Sequence, residues 1–453
     1  MGAKRLQQYE TVSVLGFGLT GVSCARFLLS QGIRPVLLDT RQKPPGLEQA
    51  PELVDYCESH FGPLQLEHLL QSDIVIVSPG IDCRDGVIAM AADAGVEMIS
   101  DVELFAWFAT KPMIGITGSN GKSTVTELCG HILRNAGMQP MLVGNIGTPV
   151  LDALLPTAPE HDCYVIELSS FQLELIENLE LAAATILNVS SDHLDRYDDE
   201  RAYARAKQRI YAHASTCVWN RDDEATRPLH APRNKHLVSF GQSDVTKGFG
   251  LTRVGQEFWL TYDNQKMVAC NDLPLAGVHN WLNIQAALAL VQALGIATVE
   301  ALSALAGYRA LPHRCEYVGD YNGVQWIDDS KATNPGAAIA AIAGFRPATQ
   351  GQLILIMGGD AKGADLEVLA PVLAEQVDVL ITLGRDGDKI AALKAGARPV
   401  QSLNEAVAYA AQQASEGSVV LLSPACASLD MFSNYKERGA KFRAAVEEWY
   451  ASH

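Results

Sequence analysis

Short apolar runs alternate with longer helix-period segments along the whole chain. This pattern constrains the fold more than any other feature, because it is the mark of β-α units stacked on parallel sheets. Three series stand out. Thr11 to Leu15, Pro35 to Asp39 and Ile74 to Ser78 read as strands of one doubly wound unit. Met113 to Thr117, Tyr164 to Glu167 and Thr185 to Val189 begin a second, followed between about Lys235 and Cys270 by what reads as short antiparallel strands. Val324 to Asp328, Leu353 to Met357, Val379 to Leu383 and Val419 to Ser423 form a third. The expected class is α/β, with three domains over residues 1–105, 106–310 and 311–453. The length of 453 residues agrees, since about 100 to 200 residues per domain gives roughly three.

Composition narrows the function classes. Apolar residues make up 48% and charged residues 19% of the chain, which suits large buried cores and excludes disorder and coiled coil. Lys plus Arg number 35 against 52 Asp plus Glu, a formal net charge of −17. No basic field is left to meet a phosphate backbone, so nucleic acid is not an expected partner. The nine cysteines show no C-x-x-C spacing, and reduced, mostly buried thiols are expected rather than a disulfide framework or zinc ribbon. No apolar core of signal-peptide length precedes Gly16, so a cytoplasmic location is expected. Leu273 to Val299 lacks Asp, Glu, Lys and Arg, but Gly277, His279, Asn280, Asn283, Gln285 and Gln292 interrupt it. It reads as a loop feeding a buried helix and not as a membrane span, which needs about 20 predominantly apolar residues.

Two glycine clusters follow strands. Gly16-Phe-Gly18-Leu-Thr-Gly21 fits G-x-G-x-x-G, and Asp39 closes the next strand. Glycines there let the backbone approach a diphosphate at a helix N-terminus. Alone, the cluster suits a nicotinamide or flavin enzyme, any nucleotide diphosphate, or a tight turn without a ligand. The second cluster, Gly118-Ser119-Asn120-Gly121-Lys122-Ser123-Thr124, is stronger. Strict Walker A spacing fails, because Ile116 stands five residues before Gly121. The chemistry survives the shorter loop: backbone N–H groups wrap phosphates, Lys122 reaches the β- and γ-phosphates, and Ser123 or Thr124 reaches Mg²⁺. Glu167 closes a strand at its C-terminal end, where α/β ligand sites lie, and is a natural Mg²⁺ ligand. Asp192-His193-Leu-Asp195-Arg196 follows another strand, with His193 either a metal or phosphate group or a structural histidine.

These motifs, with Gly277-Val-His279-Asn280-Trp-Leu-Asn283, Leu311-Pro-His313-Arg314-Cys-Glu316 and Asp329-Ser-Lys331-Ala-Thr333-Asn334-Pro335, stand in the order found in the Mur ligases. Over essentially its whole length the chain resembles that family of ATP-dependent amino-acid ligases of peptidoglycan precursor synthesis. Gly144-Asn145-Ile-Gly147, Gly358-Gly-Asp-Ala-Lys362-Gly-Ala-Asp365 and Ser423-Pro-Ala-Cys-Ala-Ser428-Leu429-Asp430 resemble the branch that adds D-glutamate to UDP-N-acetylmuramoyl-L-alanine. The resemblance implies a Rossmann-like N-terminal domain for the UDP-sugar, a P-loop NTPase-like central domain with extra β-strands for ATP, and a Rossmann-like C-terminal domain for the amino acid. It further implies a monomer without membrane insertion, serving cell-wall biogenesis, cell shape and cell division. The reaction would activate the acceptor carboxylate as an acyl phosphate, which the amine of D-glutamate attacks, releasing ADP and phosphate.

The same resemblance implies roles. Lys122, His193 and Lys207 would carry the catalysis. The Gly118 to Thr124 loop, Asn280, Asn283, Arg314, Asp329 and Lys331 would hold ATP, with His313 lining the cleft. Ser123 and Glu167 would bind one Mg²⁺ and His193 a second, bridged by Lys207 as a carbamate. Leu19, Thr20, Thr40, Arg41, Ser78, Gly80 and Asn145 would face the UDP-sugar, and Asp39 need not read a ribose. Thr333, Lys362, Ser428, Leu429 and Tyr435 would face D-glutamate, with Ser428 near a predicted helix start that favours an anion. From spacing alone, Lys207 reads as part of a solvated helix face with Arg201, Arg205 and Arg209. Another Mur or folylpolyglutamate-type ligase is the nearest alternative, although Lys362 and Ser428 suit a second carboxylate. A nicotinamide oxidoreductase uses only Gly16 to Asp39, and a non-catalytic nucleotide-binding regulator leaves Glu167, His193 and Lys207 without a task.

Overall fold

The computed structural model describes residues 2–84, 86–190, 192, 196–229, 235–255, 257–275, 277–309 and 312–452. Strands β1 (Val12–Leu15), β2 (Val36–Asp39), β3 (Ser59–Phe61), β4 (Ile74–Val77) and β5 (Glu97–Ser100) form a parallel sheet in the order β3-β2-β1-β4-β5. Every residue of β1 and β4 is buried, which is why these strands read as short apolar runs, with Ser13 the one polar residue among them. The strand order reverses between β1 and β4. The crevice at their C-terminal ends, beside Gly16 and Ser78, is thus the place where open α/β sheets take ligands.

The central sheet contains β6 (Met113–Thr117), β7 (Pro140–Gly144), β8 (Cys163–Glu167), β9 (Leu181–Ile186), β10 (Ala214–Asn220) and β11 (His236–Phe240), ordered β11-β10-β9-β6-β8-β7 and parallel throughout. Two expectations need correction here. β9 ends at Ile186 and not at Val189, because Asn188 O accepts from Ser119 N and Val189 N donates to Asp223 Oδ2 (2.7 Å), which draws the chain off the ladder. β11 lies within the stretch read as antiparallel, yet it pairs in parallel with β10. The antiparallel meander is β12 (Phe249–Val254), β13 (Glu257–Tyr262) and β14 (Gln265–Ala269).

The last sheet holds β15 (Glu316–Tyr321), β16 (Val324–Asp328), β17 (Leu353–Gly358), β18 (Val379–Leu383), β19 (Arg398–Pro399) and β20 (Val419–Leu422) in the order β15-β16-β20-β17-β18-β19. The hairpin strand β15 is antiparallel to β16, and the other pairs are parallel.

The first two sheets share one core. Val14, Ile76 and Phe105 of the first unit belong to the same buried cluster as Tyr164, Ile166 and Ile186 of the second. Phe105 meets Tyr164 edge to face at 4.9 Å. Buried Glu103 accepts from the backbone N–H groups of Glu177 (2.8 Å) and Asn178 (2.9 Å) across the same boundary. The last unit has separate clusters on the two sides of its sheet. Among the described residues no helix is long and apolar enough to cross a membrane; the Val278–Gln292 helix is a buried element of 15 residues. All nine cysteines are free, seven of them buried.

Candidate active site

The phosphate-type loop is held from a neighbouring strand end. Asn120 N donates to Asn188 Oδ1 (2.8 Å), and Asn188 Nδ2 donates back to Asn120 O (3.1 Å). Gly121 precedes the Lys122–Asn135 helix with φ +84°, and a Cβ there would stand 2.6 Å from Asn283 Oδ1. Any other residue would both strain this turn and push Asn283 away. Lys122 Nζ donates to Gly118 O (2.7 Å) and Ser119 O (2.9 Å).

Lys207 is not on a solvated face. Its side chain is 1% exposed, and its Nζ donates to the same Gly118 carbonyl at 3.1 Å, over the Tyr203 ring at 4.2 Å. In the Glu200–Gln208 helix, Tyr203, Ala206 and Lys207 form the buried stripe, while Arg201 and Arg205 face outward. The 3.6-residue period, rather than the basic spacing, decides which face Lys207 takes. Burial pushes its amine well below the ordinary lysine range, and the neighbouring Lys122 charge pushes in the same direction. Lys122 is lowered by burial too, but Glu167 and Asp192 oppose the shift.

Glu167 is 2% exposed. Its Oε1 accepts from Asn145 Nδ2 (2.8 Å), while Oε2 is buried with no hydrogen-bond partner among the described residues. A buried carboxylate oxygen left over in this way suits a hard divalent cation. It sits at the end of β8, next in the sheet to β6, whose loop leads to Ser123. His193 and Asp195 lie outside the described residues. Asn334 Nδ2 reaches Asn120 Oδ1 (3.1 Å) and Asp192 Oδ2 (3.4 Å), joining the central and last units above the loop.

A cleft of about 620 Å³ opens between these two units. Asn120, Gly121, Thr124, Asn280, Asn283, Arg314, Asp329 and Lys331 line it, with Leu187, Phe240 and Ile327 as apolar wall. It therefore gathers most of the residues expected to hold the nucleotide, while Gly118, Ser119, Lys122 and Ser123 belong to the loop at its edge. His313 donates or accepts at 2.7 Å with buried Asp328. Lys331 Nζ lies 4.0 Å over the Tyr435 ring, and burial pushes its amine down to about 8.

Burial pushes the Asp329 carboxyl up to about 7, against the bonds it accepts from Ser423 Oγ (2.8 Å) and Cys315 N (3.2 Å). A carboxyl raised in the fold stabilises the fold when protonated. That contribution is complete below its unfolded value and is lost as pH rises through about 7. Asp329→Asn should therefore flatten the pH dependence of stability: between about pH 5 and about pH 8 the wild-type urea midpoint should fall relative to the variant's. Parallel curves would mean that Asp329 is already ionised at the lower pH.

In the first unit, Asp39 is used up locally. It accepts from Phe17 N (2.7 Å) and from Arg41 N, Nε and Nη2 (2.8, 2.8 and 2.7 Å). Burial alone would raise its carboxyl, but the Arg41 bonds outweigh it and hold the pKa below the ordinary value. Gly21 lies against the turn, where a Cβ would meet Gly16 O at 2.0 Å. Leu19, Thr40, Arg41 and Gly80 are exposed around the switch point, Thr20 is half-buried, and Ser78 Oγ donates to Gly16 O (2.8 Å). Arg196 ties this region to the central unit: Nη1 donates to Pro79 O (3.3 Å) and Nη2 to Glu174 Oε2 (2.7 Å), with Phe171 under the guanidinium at 4.5 Å.

In the last unit, Asp360 and Ala427 exchange backbone bonds (2.9 and 2.8 Å), which brings the loop of Lys362 beside the loop of Ser428. Lys362 is exposed at φ +49°, Leu429 is 64% exposed, Thr333 is exposed, and Ser428 is 3% exposed. Ser428 is not at a helix start. Its carbonyl accepts from Met431 N and Phe432 N in a turn, and the helix begins only at Tyr435. Sequence reasoning gave no task to Asn188, Arg196 or Asn334. The last two stand inside motifs already noted, whereas Asn188 is marked only by following an apolar run.

Residues 10–100 match the MurD-like N-terminal domain of Mur ligases, residues 116–291 the Mur ligase middle domain and residues 313–426 the Mur ligase glutamate ligase domain. A UDP-N-acetylmuramoylalanine–D-glutamate ligase of Idiomarina loihiensis is 44% identical over 460 residues, covering 98% of each chain. The chain belongs to the Mur ligase family. This Mur ligase is also 44% identical to the Escherichia coli protein of the same name, over 97% of this chain and 99% of that one. Among solved structures, MurF of Acinetobacter baumannii aligns with a TM-score of 0.64 at 18% identity, covering 96% of this chain and 93% of the other. MurC of Thermotoga maritima aligns at 0.61 and 20% identity, covering 98% and 100%. These neighbours share the three-domain α/β architecture.

Proposed function

We infer that this Mur ligase joins D-glutamate to UDP-N-acetylmuramoyl-L-alanine in peptidoglycan precursor synthesis, converting ATP to ADP and phosphate. The observation that carries this is full-length identity of 44% to ligases of that name. The geometry supports a division of labour. ATP lies in the cleft between the central and last units, its phosphates over the Gly118 to Thr124 loop and its ribose at Asp329. The uridine diphosphate occupies the switch point of the first sheet, near Arg41 and the Leu19 helix start. Its sugar-peptide reaches Asn145, and D-glutamate sits between the Lys362 and Ser428 loops.

A carboxylate must attack γ-phosphorus, so two anions are brought together, and catalysis is chiefly alignment and charge neutralisation. Ser123 and Glu167 would hold one Mg²⁺, and His193 with carbamylated Lys207 a second. When bound, such ions offset phosphate charge and orient its oxygens. Lys122 supplies a fixed cation at the transferring group. Arg314 and Lys331 add positive charge along the cleft, so attraction is local in a chain whose overall sign repels every substrate. We also propose that the enzyme works as a monomer in the cytoplasm.

The test is phosphate release from ATP by the full-length protein. Release should require both UDP-N-acetylmuramoyl-L-alanine and D-glutamate, with one phosphate per amide formed. Equal release with a diamino acid in place of D-glutamate, or without the UDP-sugar, would overturn this reading.

A further inference from the structure

We propose that Arg438 is a positioning residue for the amino-acid substrate, locking three loops in register and setting a permanent positive charge beneath them; this deepens, and rests on, the D-glutamate site read above. Arg438 lies in the first turn of the Tyr435–Ser452 helix and is 2% exposed. Its guanidinium donates from Nε to Ser330 Oγ (2.9 Å), from Nη2 to Ser330 O (2.7 Å) and from Nη1 to Cys426 O (3.0 Å), with a longer contact to Gly358 O (3.5 Å). Ser330 and Cys426 stand just beyond the C-terminal ends of β16 and β20, and Gly358 is the last residue of β17; the three strands are consecutive in the sheet.

Each of the three loops leads to a residue read as holding D-glutamate. Ser330 is three residues before Thr333, Cys426 two before Ser428, and Gly358 opens the loop of Lys362. Ser330 Oγ also donates to Tyr435 O (2.8 Å), which closes the arrangement on the helix that carries Arg438. All of these acceptors are neutral, and among the described residues no carboxylate forms an ion pair with Arg438. A buried guanidinium without a carboxylate partner is costly in isolation. Burial lowers its pKa only to about 10, so it stays charged at neutral pH. Asp430, Asp328 and Asp329 attract it through space without bonding it, and a substrate bearing two carboxylates adds further counter-charge above the loops. The planar fork spreads its donors over four acceptors in three loops, whereas the donors of lysine are gathered at one compact ammonium.

The test is steady-state kinetics of the full chain for all three substrates, with nucleotide binding and urea midpoint as controls of folding. Arg438→Met should raise KM for D-glutamate by about tenfold or more while KM for ATP and for the UDP-sugar stays within about twofold. Arg438→Lys, which keeps the charge but loses the fork, should fall between. Ser330→Ala, which leaves the guanidinium in place but removes one of its anchors, should raise KM for D-glutamate several-fold and decides the matter if the Met variant does not bind nucleotide. Unchanged KM for D-glutamate in Ser330→Ala and Arg438→Lys, or equal changes in all three KM values, overturns the positioning role. Lys362→Ala separates the two levels. If it raises KM for D-glutamate and the Arg438 variants do not, only this proposal falls; if neither does, the glutamate-site reading falls with it.

Discussion

Lys122→Ala should lower kcat on the order of 10³-fold, with the urea midpoint little changed. The expected size follows from where the charge acts. The γ-phosphoryl carries its negative charge on peripheral oxygens in the transition state, and on the function proposed above Lys122 stands beside them, where a fixed cation would be worth several kcal/mol. The stability expectation follows from what Lys122 touches: its bonds are to Gly118 O and Ser119 O of its own loop, not to a packed core. Stopped-assay turnover with all substrates saturating, alongside urea denaturation, checks both halves. A variant that fails to fold, or one that retains a tenth of wild-type turnover, would remove Lys122 from the transferring phosphate.

Lys207→Ala should cost about 10²-fold or more in kcat and regain part of it from formate or acetate in the buffer. Two lysine amines, Lys122 and Lys207, converge on the single carbonyl of Gly118 at 2.7 and 3.1 Å. Burial first, and repulsion from the Lys122 charge second, push the Lys207 amine well below the ordinary lysine range and favour its neutral form. A neutral amine attacks carbon dioxide: the nitrogen lone pair forms the N–C bond, a proton leaves to solvent, and an anionic carbamate remains. Carbamylation would thus turn a like-charge pair into an opposite-charge pair and would present oxygen to a hard cation. A small carboxylate entering the space left by alanine restores those oxygens without the stem. Rescue should rise with carboxylate concentration at fixed ionic strength and be absent with chloride. Wild-type activity should also fall in buffer stripped of carbon dioxide. If neither rescue nor carbon dioxide dependence is observed, Lys207 acts as an amine.

Much of the architecture is legible from sequence because its central strands are buried on both faces. β1, β4, β6, β8, β17 and β20 are buried at every position and mostly apolar. β3 and β19 are not legible, being three and two residues long and without a fully buried position. Spacing alone puts Lys207 on an outward face, because arginines stand at every fourth position, whereas Tyr203, Ala206 and Lys207 turn inward. Asn188 and Arg196 could not be given partners at all. Asn188 holds Asn120 from 68 positions away, and Arg196 holds Pro79 from 117. Motif reading can mark a residue that holds such groups in place, as it does Arg196 and Asn334, but the partner it holds is set by the fold and leaves no local trace.

The shared core between the first two sheets has a mechanical meaning. With Phe105 against Tyr164 and Glu103 clasping the backbone at Glu177 and Asn178, the first two units form one stiff half. The last unit, with cores of its own, meets that half at the cleft through polar contacts such as Asn120 with Asn334. The seam at the cleft is therefore the weaker of the two joints: relative motion of the halves is expected there, between the side that carries the phosphate-type loop and the side that carries Lys362 and Ser428, and not between the first two units.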